Sequence, residues 1–125
     1  MIVATGVDLT EIARIARMVQ EHGQRFLDRI YTEAEQAYCL RKHAAAESLA
    51  SRFAAKEAVM KCLGTGWSDG VGFRQIEVVR NPGSPPTLRL HGRAQELAAA
   101  LGIARWHVSL SHDRGLALAF VVAER

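Results

Sequence analysis

Residues 45–64 have the pattern of a helix that carries charges on a face that is otherwise apolar. At about 100° per residue, its large apolar side chains gather on one side: Leu49, Phe53, Val59, Met60 and Leu63. Lys56 projects into the middle of that stripe, with Arg52 and Glu57 on its two shoulders. Because buried unpaired charges are costly, these groups need partners, which a phosphorylated ligand and its metal would supply. The alternative is an edge position, where Arg and Lys stems lie along apolar surface and their heads reach water.

The length and composition predict one small globular domain over residues 1–125. The chain is 49% apolar and 23% charged, which is ordinary for a globular protein. Asp8 interrupts the opening apolar run, so we expect neither a signal peptide nor a membrane span. Cys39 and Cys62 are too few for a disulfide scaffold and lack metal-ligand spacing. A reduced, cytoplasmic setting is therefore expected.

The net charge is only +3, but the arginines are concentrated in one part of the chain. Four of them fall between residues 10 and 30: Arg14, Arg17, Arg25 and Arg29. Such a surface favours an acidic partner and accelerates its encounter. Acidic residues are interspersed, so an ordinary solvated helix face is the alternative.

The N-terminal half is predicted to be mainly helical. Residues 2–7 form a strand, and Asp8 caps a helix over residues 9–21 in a capping box with Glu11. His22-Gly23 ends that helix, and Thr32 begins another that runs to about residue 42. The long helix occupies residues 46–63, with Gly64 as its C-terminal cap.

The C-terminal half alternates in the manner of strands. Residues 73–80 and 87–91 are predicted strands around a turn rich in proline and glycine. A helix over residues 94–101 follows, and then a hairpin of residues 105–111 and 116–123. Helices with antiparallel strand pairs predict an α+β fold.

Two motifs carry acidic residues suited to a metal. Asp8 follows the first strand, where it can bind a metal or simply cap the helix. Glu57 and Lys61 are four residues apart, so they form either an ordinary surface ion pair or a metal ligand beside a phosphate-binding cation. Magnesium commonly takes one or two carboxylates together with phosphate oxygens and water. The turn at Gly64, Thr65 and Gly66 either admits a ligand close to the backbone or merely ends the helix.

The predicted strand at residues 105–111 has a polar row on one face. With period two, His107, Ser109 and Ser111 share that face, while Trp106, Val108 and Leu110 share the other. The polar row suits hydrogen bonds to phosphate or ribose, and it equally suits a solvated sheet surface. A serine hydrolase is disfavoured because the G-x-S-x-G elbow is missing.

Together these motifs resemble the holo-acyl-carrier-protein synthases, the small bacterial class of phosphopantetheinyl transferases. The similarity is carried by four blocks: GVDLTEIARI at 6–15, RFAAKEAVMKCLGTG at 52–66, GSP at 83–85 and HVSLSHD at 107–113. The resemblance implies helices packed on a bent antiparallel sheet around one long central helix, assembled as a homotrimer with active sites between subunits. It implies transfer of 4′-phosphopantetheine from coenzyme A to a serine of an acidic acyl carrier protein, in fatty acid biosynthesis or polyketide synthesis. No nucleic acid and no membrane is implied as a partner.

The resemblance also assigns residues. It implies that Asp8 and Glu57 bind Mg²⁺ and are catalytic together with Lys61. The coenzyme A contacts that it implies are Arg52, Lys56, Lys61, Gly64, Thr65, Gly66, Pro85, His107 and Ser109. The carrier-protein surface that it implies consists of Arg14, Met18, Arg25, Phe26 and Arg29. Ser84 departs from the family, which often has lysine there, so one phosphate contact is missing.

Several alternatives remain open at this point. Glu35, His112, Asp113 and a metal-bound water are all candidates for the general base, and manganese accepts the same ligands as magnesium. A small basic nucleic-acid-binding domain would also explain the arginines, although the sheet lacks an aromatic platform for bases. A non-catalytic nucleotide-binding module is the third possibility.

Overall fold

The chain folds as an α+β protein, and the computed structural model describes residues 1–66 and 68–125. Its N-terminal elements are β1 (Ile2–Glu11), α1 (Ile12–His22), α2 (Gln24–Ile30), α3 (Glu33–Leu40) and α4 (Ala45–Leu63). The C-terminal elements are a 3₁₀ turn (Phe73–Gln75), β2 (Ile76–Val79), β3 (Thr87–Leu90), α5 (Gly92–Ala100), β4 (Arg105–Asp113) and β5 (Leu116–Glu124). No helix among the described residues is both long and apolar enough to cross a membrane.

The strands form two antiparallel sheets. Three strands make the larger sheet in the order β1-β5-β4, and β2 pairs with β3 in a separate two-stranded sheet. The predicted C-terminal hairpin is confirmed, with His107 opposite Val122 and Ser109 opposite Phe120. The predicted strand at residues 73–80 is shorter than expected, because its first three residues form the 3₁₀ turn.

Strand β1 extends four residues beyond its predicted end. Residues 8–11 pair with β5, with Asp8 opposite Ala119 and Glu11 opposite Leu116. The predicted capping role of Asp8 is therefore wrong: α1 begins after Glu11, and no described side chain caps it. Pairing with a distant strand satisfies the backbone of residues 8–11 more completely than a local cap would.

Helix α4 is the centre of the fold, as predicted, and packs against β1 and β5. Small side chains let the helix approach the sheet closely, including Ala54 and Ala58 on the helix and Ala117 and Ala119 on the strand. The five predicted apolar residues of the helix are all buried. Gly64 ends the helix in the left-handed conformation (φ 76°), as its position predicts.

The turn into α3 is also confirmed. Thr32 accepts a hydrogen bond from the Glu35 backbone, and the Glu35 side chain accepts one from the Thr32 backbone, which is a complete capping box. Gly23 has a positive φ of 55° between α1 and α2, where the sequence predicts a break. Helix α2 contacts α1 and the 3₁₀ turn, and α3 contacts α4.

The larger sheet has one covered face and one open face. Gly6, Thr10, Ala117, Ala119 and Val121 face α4 and are buried. The alternate residues of the same strands are exposed, including Val7 (49%), Leu9 (61%) and Phe120 (44%). We call this second surface the open face; it also carries His107 and Ser109.

Candidate active site

Asp8 and Lys61 meet where β1 crosses the last turn of α4. Lys61 Nζ lies 3.2 Å from Asp8 Oδ1 and donates a hydrogen bond to the Val7 carbonyl at 2.8 Å. The Thr10 hydroxyl lies 3.4 Å from the second carboxylate oxygen of Asp8. Asp8 is oriented toward α4 because it shares a strand face with Gly6 and Thr10. The predicted pairing of these two motifs in one site is therefore seen in the fold.

Glu57 lies one turn before Lys61, and the charge of Asp8 affects its pKa. Burial raises the pKa of the Glu57 carboxyl, and the negative charge of Asp8 raises it further, while Arg14 and Lys61 oppose the shift. Two carboxylates that repel each other in a half-buried position would be stabilised by a divalent cation. Among the described residues no group of three or more His, Cys, Asp or Glu side chains lies together. A two-carboxylate site of this kind suits Mg²⁺, which keeps water or phosphate in its remaining positions.

Gly6 sets the distance between the strand and the helix. A Cβ atom added at Gly6 would lie 2.1 Å from the Ala58 carbonyl oxygen and 3.2 Å from Cys62 Sγ. Any side chain at this position would therefore push β1 away from α4. The glycine brings Asp8, two residues later, within reach of the carboxylate and ammonium groups on the helix.

Arg52 lies in a separate pocket near the other end of α4. Its guanidinium is 3% exposed, and Nη1 donates to the Ser48 hydroxyl at 2.9 Å. Arg52 Cζ lies 4.4 Å from the centre of the Tyr38 ring. Its Nε and Nη2 atoms are buried with no hydrogen-bond partner among the described residues. Because unsatisfied buried donors are costly, these atoms are suited to an anionic ligand.

The Arg52 pocket has a volume of about 420 Å³ and a cationic lining. Its charged and titratable residues are Lys42, His43, Glu47, Arg52, Arg80 and His112. Lys42 and Arg80 are joined with Tyr38 in a neighbouring cleft of about 500 Å³ that reaches Gly83. Lys42, His43 and Arg80 were not predicted as site residues, because they lie on two segments brought together only by folding.

Lys56 has a different environment from the one expected. Its ammonium is fully buried and lies 2.7 Å from Glu35 Oε1. It also donates to the backbone carbonyls of Phe73 and Ile76. Three protein acceptors thus account for the three ammonium protons, so a phosphate would have to displace one of them. Burial lowers the pKa of Lys56, while Glu35 opposes the shift.

The same contacts make Glu35 a poor candidate for the general base. Its carboxylate accepts from the backbone amides of Thr32 and Val78, both at 2.9 Å, besides the Lys56 ammonium. The residue is 1% exposed, so a substrate hydroxyl has no access to it. Of the other two candidates, His112 lines the Arg52 pocket with Nδ1 3.7 Å from Glu47 Oε2, and Asp113 is exposed beside Arg114.

His107 and Ser109 lie on the open face of the sheet, opposite the face that carries Asp8. His107 Nε2 is 2.9 Å from Glu124 Oε1, and Ser109 is exposed. Within one chain, the sheet therefore lies between these two residues and Asp8, Glu57 and Lys61. Pro85 lies in the exposed turn between β2 and β3.

The turn after α4 is open to a ligand. Gly64 and Gly66 both have positive φ, and an added Cβ atom at either would meet no described atom within 4 Å. Thr65 donates from its hydroxyl to the Gly66 carbonyl at 3.2 Å. This turn directly follows the helical turn that carries Lys61, as the motif predicts.

The residues expected to bind a carrier protein form two groups. Met18, Arg25, Phe26 and Arg29 line a groove of about 200 Å³ between α1 and α2, together with His22. Arg14 lies outside this groove. Its guanidinium is 5.6 Å from the centre of the Phe53 ring, and its positive charge opposes the rise in the pKa of Glu57. His22, which the sequence indicated only as a helix-ending residue, is thus a further candidate in the groove.

The sequence and the fold match one class of known proteins. The sequence matches the 4′-phosphopantetheinyl transferase superfamily over residues 4–121, and the chain belongs to this family. Among its relatives it is similar to the holo-[acyl-carrier-protein] synthase of Koribacter versatilis strain Ellin345, with 50% identity over 124 residues covering 99% of both chains. The synthase of Gloeobacter violaceus is 54% identical over 117 residues, covering 93% of this chain and 88% of the relative.

Solved structures give the same result. The crystal structure of holo-[acyl-carrier-protein] synthase from Neisseria meningitidis superposes with a TM-score of 0.88 and 36% identity, covering 100% of each chain. The synthase of Helicobacter pylori, solved in complex with coenzyme A, superposes with a TM-score of 0.84 and 32% identity, covering 96% of this chain and 99% of that one. The resemblance found in the sequence motifs is therefore confirmed.

Proposed function

We propose that this protein transfers the 4′-phosphopantetheine arm of coenzyme A to a serine of an apo acyl carrier protein. The products are holo acyl carrier protein and 3′,5′-ADP. The observation that carries the proposal is the contact of Lys61 with Asp8 beside Glu57, whose pKa is raised. Membership in the phosphopantetheinyl transferase family and the coenzyme A complex of a similar synthase support it.

In this reaction the serine oxygen bonds to the β-phosphorus of the diphosphate, and the bond from that phosphorus to the bridging oxygen breaks. The electron pair of the broken bond leaves on 3′,5′-ADP, and the serine proton passes to a base. Positioning and charge neutralisation supply most of the catalysis in such phosphoryl transfer. Lys61 is suited to neutralise the phosphoryl group during transfer, because its side chain is 55% exposed at the acidic site.

Asp8 and Glu57 would hold Mg²⁺, or Mn²⁺, which accepts the same ligands. When bound, the metal neutralises negative charge on the diphosphate. Arg52 would bind the nucleotide end of the donor through its two unpartnered nitrogens. His112 and Asp113 remain the side-chain candidates for the general base.

We propose further that the active site is completed between subunits of a homotrimer. The support is the arrangement of the open face, where His107 and Ser109 are separated from Asp8 by the sheet. Val7, Leu9 and Phe120 on that face are large, apolar and substantially exposed, as is typical of a subunit interface. We propose that a neighbouring subunit's acidic site lies next to the first copy's His107 and Ser109.

The groove between α1 and α2 is proposed to receive the carrier protein. Arg25 and Arg29 supply positive charge around an apolar floor of Met18 and Phe26. An acidic helix with one apolar side chain fits such a surface, because charge steers the encounter and the apolar contact adds affinity. The expected cytoplasmic location stays a prediction.

Intact-mass spectrometry of an apo acyl carrier protein incubated with this protein, coenzyme A and Mg²⁺ tests the reaction. We expect a mass gain of one phosphopantetheine, abolished by EDTA and by Ser→Ala at the carrier's acceptor serine. Carriers of fatty acid synthesis and of polyketide synthesis are compared in parallel, which identifies the preferred acceptor. Retention on heparin without transfer to any carrier would instead support the nucleic-acid-binding alternative.

A further inference from the structure

We propose that Lys56 and Glu35 are positioning residues whose ion pair fixes the orientation of α4, and thereby the position of Glu57, without touching coenzyme A. The inference rests on the proposed function, because the position of Glu57 matters only for that reaction. It concerns a lysine that the family resemblance alone would place on the phosphates.

The Lys56–Glu35 pair is completely buried. Both side chains are 0% exposed, and Lys56 Nζ lies 2.7 Å from Glu35 Oε1. Arg52, one helical turn earlier on the same face, lines a pocket and has two nitrogens without partners among the described residues. The two cations of the motif therefore differ: Arg52 is prepared for a ligand, and Lys56 is saturated by protein.

The Lys56–Glu35 pair connects three elements of the fold. Lys56 donates from α4 to the carbonyls of Phe73, the first residue of the 3₁₀ turn, and Ile76, the first residue of β2. Glu35 accepts from the backbone amide of Val78 in β2 at 2.9 Å. One ionic cluster thus ties α4 to α3 and to β2, through hydrogen bonds that are directional and shielded from water.

Neighbouring polar groups hold Glu35 from the side opposite Lys56. The Thr32 hydroxyl, which accepts from the Glu35 amide, donates to Glu77 Oε2 at 2.9 Å. Glu77 Oε1 in turn lies 3.0 Å from Nε2 of the partly exposed His91. The cluster is therefore anchored on its far side as well, so Glu35 has little freedom to follow a moving Lys56.

The orientation of α4 about its axis determines where the Glu57 carboxylate lies. Glu57 directly follows Lys56, so any rotation of α4 about its axis moves both residues together. A side-chain head lies about 6 Å from a helix axis, so a rotation of about 10° displaces the Glu57 carboxylate by about 1 Å. Misplacement of a catalytic group by about 1 Å can lower the rate about 10²-fold.

The test compares Lys56→Met with Ile103→Ala, a core substitution that follows α5 and removes no ionic group. Each variant is assayed below its melting temperature for kcat and, by calorimetry, for the Kd of coenzyme A. We expect Lys56→Met to lower kcat about 10²-fold and to change the Kd by less than about threefold. Ile103→Ala should lose stability and keep its kcat.

Two results would overturn the proposal. A Kd for coenzyme A at least about tenfold weaker with kcat retained would make Lys56 a ligand contact. A kcat equal to that of Ile103→Ala, at equal folded fraction, would make the pair a purely structural feature.

The variant Glu35→Gln/Lys56→Met covers the case in which Lys56→Met fails to fold. Removing both charges relieves the uncompensated Glu35, so stability should recover, whereas kcat should stay low because the hydrogen bonds to Phe73 and Ile76 are still missing. Recovery of kcat together with stability would contradict positioning. Wild-type protein is assayed alongside: its failure on every carrier would reject the proposed function, whereas an active wild type isolates the question of Lys56.

Discussion

Lys61 Nζ lies 3.2 Å from Asp8 Oδ1, joining the last turn of the central helix to the middle of the first strand. The lysine is largely exposed while the aspartate is mostly covered, with side-chain exposures of 55% and 15%. An exposed ion pair of this kind contributes little stability, about 0–1 kcal/mol. The arrangement is therefore better explained by the chemistry it makes possible, and each feature around it leads to a measurable expectation.

Replacing Glu57 with Gln is expected to reduce transfer by about 10²-fold or more, because several kcal/mol of charge stabilisation depend on the metal site. The fold should remain intact, as judged by circular dichroism. Glu96→Gln, on the exposed surface of α5, serves as the matched control and should be fully active. Near-normal activity of Glu57→Gln would show that the metal is held elsewhere.

Glu57 should also leave a signature in the pH dependence of stability. Its pKa is raised in the folded protein, so the folded state binds this proton more tightly than the unfolded state. The resulting stabilisation is present at low pH and is lost as the pH rises through the folded pKa. Without metal, Glu57→Gln should thus be at least as stable as wild type at pH 7, and Mg²⁺ should raise the Tm of wild type only.

Gly6→Ala is expected to lower both stability and kcat, because the new methyl group would collide with the Ala58 carbonyl. Overpacking typically costs about 1–3 kcal/mol, measurable by chemical denaturation. Gly72→Ala is the control: Gly72 has an extended backbone (φ −120°), and its nearest neighbour to an added Cβ is Gln75 Nε2 at 4.0 Å. Equal behaviour of the two variants would mean that β1 tolerates displacement from α4.

Arg52→Ala should weaken coenzyme A binding about 10-fold or more, since a charge-assisted contact contributes about 1.5–3 kcal/mol. Its stability should change little, because two of the three guanidinium nitrogens have no partner in the described part of the chain. Calorimetry with coenzyme A and a thermal melt measure the two effects. A large loss of stability with unchanged affinity would assign Arg52 to the core instead.

Arg25→Glu should raise the KM for an acidic carrier protein at least about 10-fold and leave the KM for coenzyme A unchanged. The dependence of the carrier KM on salt should also become weaker. Arg14 is a poorer choice for this test, because it acts on Glu57 as well. Equal losses for both substrates would contradict a separate carrier groove.

Phe120→Glu is expected to dissociate the proposed homotrimer and abolish transfer, because it puts a charge among the exposed apolar side chains of the open face. Light scattering coupled to gel filtration reports the mass of the particle. Leu101→Glu, at a residue 40% exposed outside the sheet, is the matched control and should remain assembled and active. An active monomeric variant would show that one chain contains the complete site.

The sequence alone was sufficient for the parts of this protein that local physics governs. The 3.6-residue period of α4, the left-handed cap at Gly64, the capping box at Thr32 and the alternation of β4 all depend on neighbours within a few residues. The pairing of the Asp8 motif with the Glu57 motif was also predicted, through resemblance to a known family.

Tertiary structure decided the rest, because it depends on partners that are distant in sequence. Asp8 belongs to a strand and not to a cap, since β5 supplies the hydrogen bonds for residues 8–11. The three acceptors of the Lys56 ammonium are Glu35 and two backbone carbonyls, all of them distant in sequence. Helical periodicity places a charge on a buried face, but only the folded chain determines whether a carboxylate of its own or a bound phosphate meets that charge.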